Sequence, residues 1–355
     1  MTHLTNMTRV RTLTTTRRMR VLPQAGQIVV PVGREVEPVH VVARGPAVSA
    51  CAVWRASDVL GVAPEELEKH LLVEEGATLE RGAPLMRRPA TIGQAKVYRC
   101  PADGTLIRIR DGCLILRRSD RVEELRAMLS GRVVSIVPQR GVIIEAVGSV
   151  VQGVWDSGRS GVGKLVRSVH GADEKLKVEQ VGPEAAGAVY VAGVFEDREA
   201  LDRLEERSAH GLIAGSMPAS LHARARESTI PIILTEGFGR RPMAEPIFEL
   251  LQRSEGRDAS LLAASHDYRT QRAEVIIPLP TSGSLPQVEP DAVVIEIGSL
   301  VRANGLDSGT TLGRVARVHG QPRRTAIGGL ASGADVVLAD GETVFVPYAN
   351  LDHIG

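Results

Sequence analysis

The sequence predicts an α+β multi-domain fold with a β-rich N-terminal half, a small three-stranded parallel α/β domain and a β-rich C-terminal unit. Three observations predict it. From Leu72 to Leu116 apolar residues recur at alternate positions between glycine-centred turns, which is the two-residue period of half-buried strands. Beyond Gly182-Pro183 the pattern becomes short, continuously apolar runs separated by helical segments, as expected of strands covered on both faces. After the linker-like Thr281-Ser282-Gly283-Ser284-Leu285-Pro286 the strand pattern returns. The division that follows is a flexible basic arm over 1–26, a β domain over 27–130, a β-hairpin-rich segment over 131–182, the α/β domain over 183–280, a linker over 281–292 and a small β unit over 293–355.

In the N-terminal half, Gly76 and Gly82 supply turns that bury Leu79 and Leu85. Pro101-Ala102-Asp103-Gly104 is a second turn signal, and Asp111-Gly112 a third. Between them Ile107 and Ile109 alternate with Arg108 and Arg110, and Leu114 and Leu116 return on the far side. The piece from Pro64 to Leu71 is expected to be helical, since proline suits a first helical position. These paired hairpin halves resemble a barrel-sandwich hybrid, the fold of biotinyl and lipoyl domains and of a domain in Rnf-complex C subunits, over roughly residues 27–118. The resemblance implies a fold and not a carrier. Where a carrier presents its lysine, this chain has Arg87 to Gln94, and Lys96 lies beyond, so no covalent biotin or lipoate is expected.

Composition narrows the function classes. Forty-three basic against forty-two acidic residues, in 355, create no global field to attract nucleic acid or a membrane. Cys51, Cys100 and Cys113 lack metal-ligand or disulfide spacing and suit a reducing compartment. No apolar run approaches the ~20 residues that span a bilayer. Arg9, Arg11, Arg17, Arg18 and Arg20 are followed by no apolar signal core, so a cytoplasmic location and a mobile basic arm are expected, with nucleic-acid or phospholipid contact by the arm as the alternative. The nine histidines show no HxxxH or HExxH pattern, and no metal or other cofactor is expected.

Residues 158–164 read GRSGVGK. Gly158, Gly163 and Lys164 match phosphate-loop spacing, but Leu165 stands where a magnesium-binding hydroxyl is needed. The following Lys164–Val169 run has strand character, so residues 156–163 are expected to be a hairpin loop and not the entrance to a helix. RVVSIVP, GVIIEAV, VVQGVW, KLVRSV and KLKVEQV, between Arg132 and Val181, all read as strands.

In the α/β domain the runs 188–193, 211–215 and 230–234 are the expected parallel strands. Asp197 caps a helix in which Leu201 and Leu204 share a face, Pro218 opens another, and a third covers 244–253. Loops at the carboxyl ends of such strands form the usual ligand crevice. Gly193, Gly215 and Gly237 there would admit an anion close to backbone amides, Ser216 and Thr235 offer hydroxyls, and Arg240 and Arg241 form a charged fork. Glu236 is the candidate general base, although no His or second carboxylate accompanies it in the loop.

The C-terminal unit carries Gly313, Val315 and Val318, followed by Val346-Pro347-Tyr348-Ala349-Asn350-Leu351 as a last tight turn. It resembles a KOW or SH3-like β-barrel over roughly 293–355, which implies contact with protein or RNA. Arg314, Arg317, Arg323 and Arg324 are the candidate nucleic-acid stripe, while Arg302 completes five arginines against six acids in a nearly neutral unit. The favoured expectation is a non-catalytic, multi-domain binding or scaffold protein with a protein partner and no membrane contact. The alternatives are a KOW-type nucleic-acid-associated transcription or translation factor and a small-ligand- or anion-binding sensor or enzyme at the C-terminal edge of the α/β sheet.

Overall fold

The computed structural model describes residues 4–5, 10–46, 51–88, 95–101, 103–117, 122–264, 272–280, 293–306, 309–325 and 328–354. The chain is mostly strand, arranged in several sheets, with short helices confined largely to the α/β region. Arg9, most of the Arg87–Gln94 stretch and the 281–292 linker fall outside the described residues.

One large sheet organises the molecule. Gly161–Arg167, Ala188–Val194, Gly211–Met217 and Ile232–Phe238 run parallel and adjacent in chain order, so the parallel sheet has four strands where three were expected. The additional strand contains Lys164 and Leu165, which removes the strand–loop–helix context a phosphate loop needs. Lys164 Nζ instead lies 3.6 Å from the Asp258 carboxylate. Nor is there a hairpin around 156–163. Trp155–Asp156 pairs with Leu234 and Ile233 at the far edge, whereas Gly161–Arg167 pairs with Ala188–Val194 and Asp258–Leu262. Local alternation predicted strands here correctly but carried no information on which neighbour each would choose. KLKVEQV is also not a strand, since Val178–Gln180 forms a 3-10 turn.

Helices Arg198–Glu206, His222–Glu227 and Glu245–Arg253 connect the strands. Asp197 caps the first as its sequence predicts, Oδ1 accepting the amides of Glu199 at 2.9 Å and Ala200 at 3.2 Å, with Leu201 and Leu204 buried beneath. Asp258–Leu262 and Glu274–Pro278 then extend the sheet with antiparallel pairing to the long strand Gly141–Gln152.

The basic arm is a structural strand over its described part. Val10–Val21 pairs antiparallel with Gly141–Gln152 from Val10↔Val151 to Val21↔Gly141. Val10 enters the α/β core and Thr14, Thr15 and Thr16 are buried. The Arg18 guanidinium makes a two-pronged contact with Glu274, one bond being 2.7 Å, and Arg17 meets Glu145 at 2.8 Å. The run of Thr and Arg looked like a solvated tail because its carboxylate partners lie far along the chain. The separation of Arg18 from Glu274 is 256 residues.

The 27–130 region also divides differently. Val30, Val36, Val42, Ala127 and Leu129 pack with Val133, Val142 and Ile144 of the Gly131–Val137/Gly141–Gln152 hairpin. Residues 51–117 hold their own core of Leu60, Leu67, Leu79, Leu85, Met86, Leu106, Leu114 and Leu116. Cys51–Arg55, Cys113–Arg117, Gly104–Arg110 and Thr78–Leu79 form its sheet in that order. The Asp111-Gly112 turn is present, and Pro64–His70 is helical as a 3-10 element. This unit is inserted at the tip of a two-stranded ribbon, Val41–Pro46 against Val122–Arg126.

The C-terminal unit is a five-stranded antiparallel sheet in the order Thr343–Pro347, Gly333–Leu338, Gly309–Val318, Leu300–Leu306, Leu351–His353. A 3-10 turn, Tyr348–Asn350, precedes the last strand. Val315 is buried in its core, whereas Val318 is 37% exposed. Leu300, Leu312 and Ile354 pack onto the α/β core, so this unit is docked against the large sheet.

Candidate functional site

The predicted crevice lies at the carboxyl ends of the parallel strands, and the chain itself occupies it. A parallel strand that ends at a crevice leaves backbone donors and acceptors to be satisfied. Here Val194 N–H donates to Glu174 O at 3.1 Å, Phe195 N–H to Ser216 O at 2.8 Å, Gly239 N–H to Met217 O at 2.9 Å and Met243 N–H to Ala172 O at 2.8 Å. Glycine is needed at 193 and 215 because backbone packs against them. A Cβ on Gly193 would lie 2.3 Å from Ala172 O, and one on Gly215 2.4 Å from Gly193 O and 2.7 Å from Met243 N.

The predicted polar residues converge on the same place but turn inward. Ser216 is fully buried, and its hydroxyl donates to Arg241 O at 2.7 Å while accepting Arg241 N–H at 2.8 Å. That exchange pins the 239–243 segment across the strand ends. Thr235 is buried and its hydroxyl donates to Glu236 Oε1 at 3.2 Å. Gly237, at φ 86°, turns the strand past Glu236. Arg240 is exposed and meets Glu196 at 2.7 Å, while Lys175 reaches the same carboxylate at 2.6 Å. The Lys175 hydrogen bond, aided by Arg240, holds the Glu196 carboxyl below the usual carboxylate range against the opposing effect of desolvation.

Glu236 supplies the central contact. Its Oε2 lies 2.8 Å from Arg302 Nη1, and its Oε1 accepts Arg302 Nη2–H at 2.8 Å and Ala244 N–H at 3.2 Å. Arg302 also donates to Thr235 O at 3.2 Å. The two side chains are 3% and 4% exposed. A fork-to-fork pair this dry carries fixed geometry as well as charge compensation. It joins the α/β domain to the C-terminal sheet, so the expected general base is engaged by an arginine from another unit. Arg302 looked like one more surface cation in sequence. The available signal is its position in Leu300–Leu306, where Val301 and Ala303 face the unit's own core and the intervening Arg302 must face the other way, toward the α/β domain.

The four arginines of the expected nucleic-acid stripe are exposed. Arg314 donates to Gly298 O at 3.1 Å, and Arg323 contacts Asp335 at 3.1 Å with its guanidinium 5.4 Å from the Phe345 ring centroid. His319 shares the Asp335 carboxylate at 2.9 Å. Arg317 faces Asp335 in strand register. The stripe is therefore interrupted by an acid at its middle.

Among the described residues no group of three or more His, Cys, Asp or Glu is arranged to hold a metal ion. No helix there is long and apolar enough to cross a membrane. The fold defines a mostly β, multi-sheet protein with a parallel α/β centre. No protein-family model matches this sequence, and no curated protein is significantly similar to it.

Proposed function

We propose that this is a non-catalytic, multi-domain binding or scaffold protein of the cytoplasm whose natural ligand is another protein. The observation that carries this reading is the occupied crevice. The groups an α/β enzyme would turn toward substrate are engaged within the chain, Ser216 with the Arg241 backbone, the Thr235 hydroxyl with Glu236, and Glu236 with Arg302. The inserted 51–117 unit supports it too. This unit has its own core, sits on a β-ribbon and carries Val53, 65% exposed, on its edge strand Cys51–Arg55. An edge with no second neighbour among the described strands is a natural place for strand addition by a partner. The hairpin Gly104–Arg110/Cys113–Arg117 is in keeping with the barrel-sandwich reading of residues 27–118, although that stretch is shared between two cores, and the 3-10 turn before the last strand favours the SH3-like reading of the C-terminal unit. Protein contact is preferred over the KOW-type nucleic-acid reading because Arg17 and Arg18 of the basic segment already hold carboxylates and Asp335 divides the C-terminal arginines.

The test uses the full chain in its own host with a photo-crosslinking residue at Val53. One partner protein should be recovered repeatedly, should bind the purified chain directly, and should be lost in a Val53→Glu variant with unchanged melting temperature. Substrate turnover by the purified full chain, or direct binding unaffected by Val53→Glu, would defeat the proposal.

A further inference from the structure

A second concave site lies at the outer edge of the parallel sheet, apart from the filled crevice. It is a cavity of about 300 Å³ lined by Trp155, Asp156, Arg226 and Arg272, with Gly153 and Ala273 at its base. Trp155 is part of the short strand that closes the sheet edge against Leu234. Its ring is held edge-to-face by His222 at 5.6 Å and Phe238 at 5.4 Å between centroids, and these two rings contact each other at 5.3 Å. Arg226 lies one turn beyond His222 on the same helix, so it reaches the same side. Arg272 is positioned by its neighbour Ala273, whose carbonyl accepts Gly153 N–H at 2.8 Å.

The charges in this cavity are unbalanced. Elsewhere Arg17, Arg18, Arg44, Arg167, Arg224, Arg240, Arg253 and Arg302 each meet a carboxylate. Arg226 and Arg272 have neither an ion pair nor a hydrogen bond among the described residues. The one acid in the lining, Asp156, is turned to backbone, Oδ1 accepting Gly158 N–H at 2.7 Å and Oδ2 accepting Ala264 N–H at 3.4 Å. Two guanidiniums that line one cavity, neither of them ion-paired among the described residues, suit a multiply charged oxyanion from outside, and phosphate matches their planar forks. A locked indole beside them supplies a flat surface for a ring. The volume is at the lower end of the ~300–1,000 Å³ typical of small-molecule pockets, enough for one ring system and one anionic group.

We infer that this cavity binds a small phosphomonoester carried on a ring, of mononucleotide or sugar-phosphate size. Arg226 and Arg272 hold the phosphate, Trp155 packs against the ring, and Asp156 orders the wall behind them. Trp155 also reports on the site, because the chain has only two tryptophans and Trp54→Phe leaves it as the sole indole.

The experiment titrates the full-length Trp54→Phe chain with AMP, UMP and glucose 6-phosphate, following Trp155 emission, with adenosine, glucose and inorganic phosphate as controls. A saturable change is expected with the nucleotides or with the sugar phosphate, and which arm responds identifies the source. Affinity should fall at least about tenfold in Arg226→Ala and again in Arg272→Ala, the loss expected for a hydrogen bond to a charged group. The controls should bind at least about tenfold more weakly. The absence of a saturable response to all three phosphomonoesters, affinity unchanged in the double arginine variant, or inorganic phosphate binding as tightly as the ring compounds would each overturn the assignment. Both arginines lie on or beside exposed surface, and a melting curve for each variant separates lost binding from lost folding.

Discussion

The buried Arg302–Glu236 pair is expected to dominate docking of the C-terminal unit. Arg302→Met keeps the length of the side chain and removes both charge-assisted bonds to Glu236, whose carboxylate also accepts from the Thr235 hydroxyl and the Ala244 amide. Both side chains are almost fully buried, so water cannot take the place of the lost cation. Removing one partner of such a pair costs about 3–5 kcal/mol. Glu236→Gln should cost less, because the amide oxygen still accepts from Thr235 and Ala244. The double variant should recover part of the loss, giving a coupling of about 1.5–3 kcal/mol between the two sites. Because several units are present, a single unfolding curve mixes transitions. The direct assay is amide exchange in Leu300–Leu306 and Ile232–Phe238, together with urea midpoints for the four members of the cycle. Arg302→Met should accelerate exchange in both strands, with little dependence on added salt, since a dry pair is poorly screened. Wild-type exchange and midpoint in Arg302→Met, or strictly additive single variants, would refute the view that this contact joins the units.

Three further outcomes follow from the same structure. Arg18→Ala, which strands Glu274 at 3% exposure, should lower stability by about 3 kcal/mol. Arg17→Ala, at an exposed pair, should lower it by less than about 1 kcal/mol, and equal urea-midpoint shifts for the two would contradict the distinction. Gly215→Ala places a methyl 2.4 Å from Gly193 O, so a loss of about 1–3 kcal/mol is expected in thermal melts, and an unshifted melt would mean the strand ends are not closed as described. Acid should destabilise the chain in two steps. Burial raises the Glu205 carboxyl, but hydrogen bonds from Arg224, Ser228 and Thr229 outweigh it and hold the group below its usual range. The resulting stability is present above the unfolded value near ~4.3 and is lost as pH falls through the lowered folded value. Burial, with a smaller contribution from Arg11, disfavours the His353 imidazolium and lowers its pKa, so no penalty applies above ~6.5 and stability falls on acidification from there through the folded value. Stability measured against pH should lose its upper step in His353→Leu and its lower step in Glu205→Gln, and profiles parallel to wild type would count against both.

Much of this architecture was legible in the residues. Alternation of Ile107 and Ile109 with arginines, the Asp111-Gly112 turn, the Asp197 cap and the continuous apolar runs at 188–193 and 211–215 all act within a few residues, and each became the expected element. The failure of GRSGVGK as a phosphate loop was also local, since Leu165-Val166 continues a strand. Which residues would gather at the strand ends was legible from the order of elements. What they would do there was not.

Local sequence determined that this chain would alternate sheets with a wound centre, because side-chain period, turn geometry and capping depend on near neighbours. Only tertiary structure decided that the basic segment at 10–21 is a sheet strand, that Gly161–Arg167 joins the parallel set, and that Glu236 faces an arginine of the C-terminal sheet. Each depends on pairing across long separations, 66 residues for Glu236 with Arg302 and 256 for Arg18 with Glu274. A charged side chain has the same local sequence signature in water and in a buried pair. Its partner becomes known only when the chain has closed the distance.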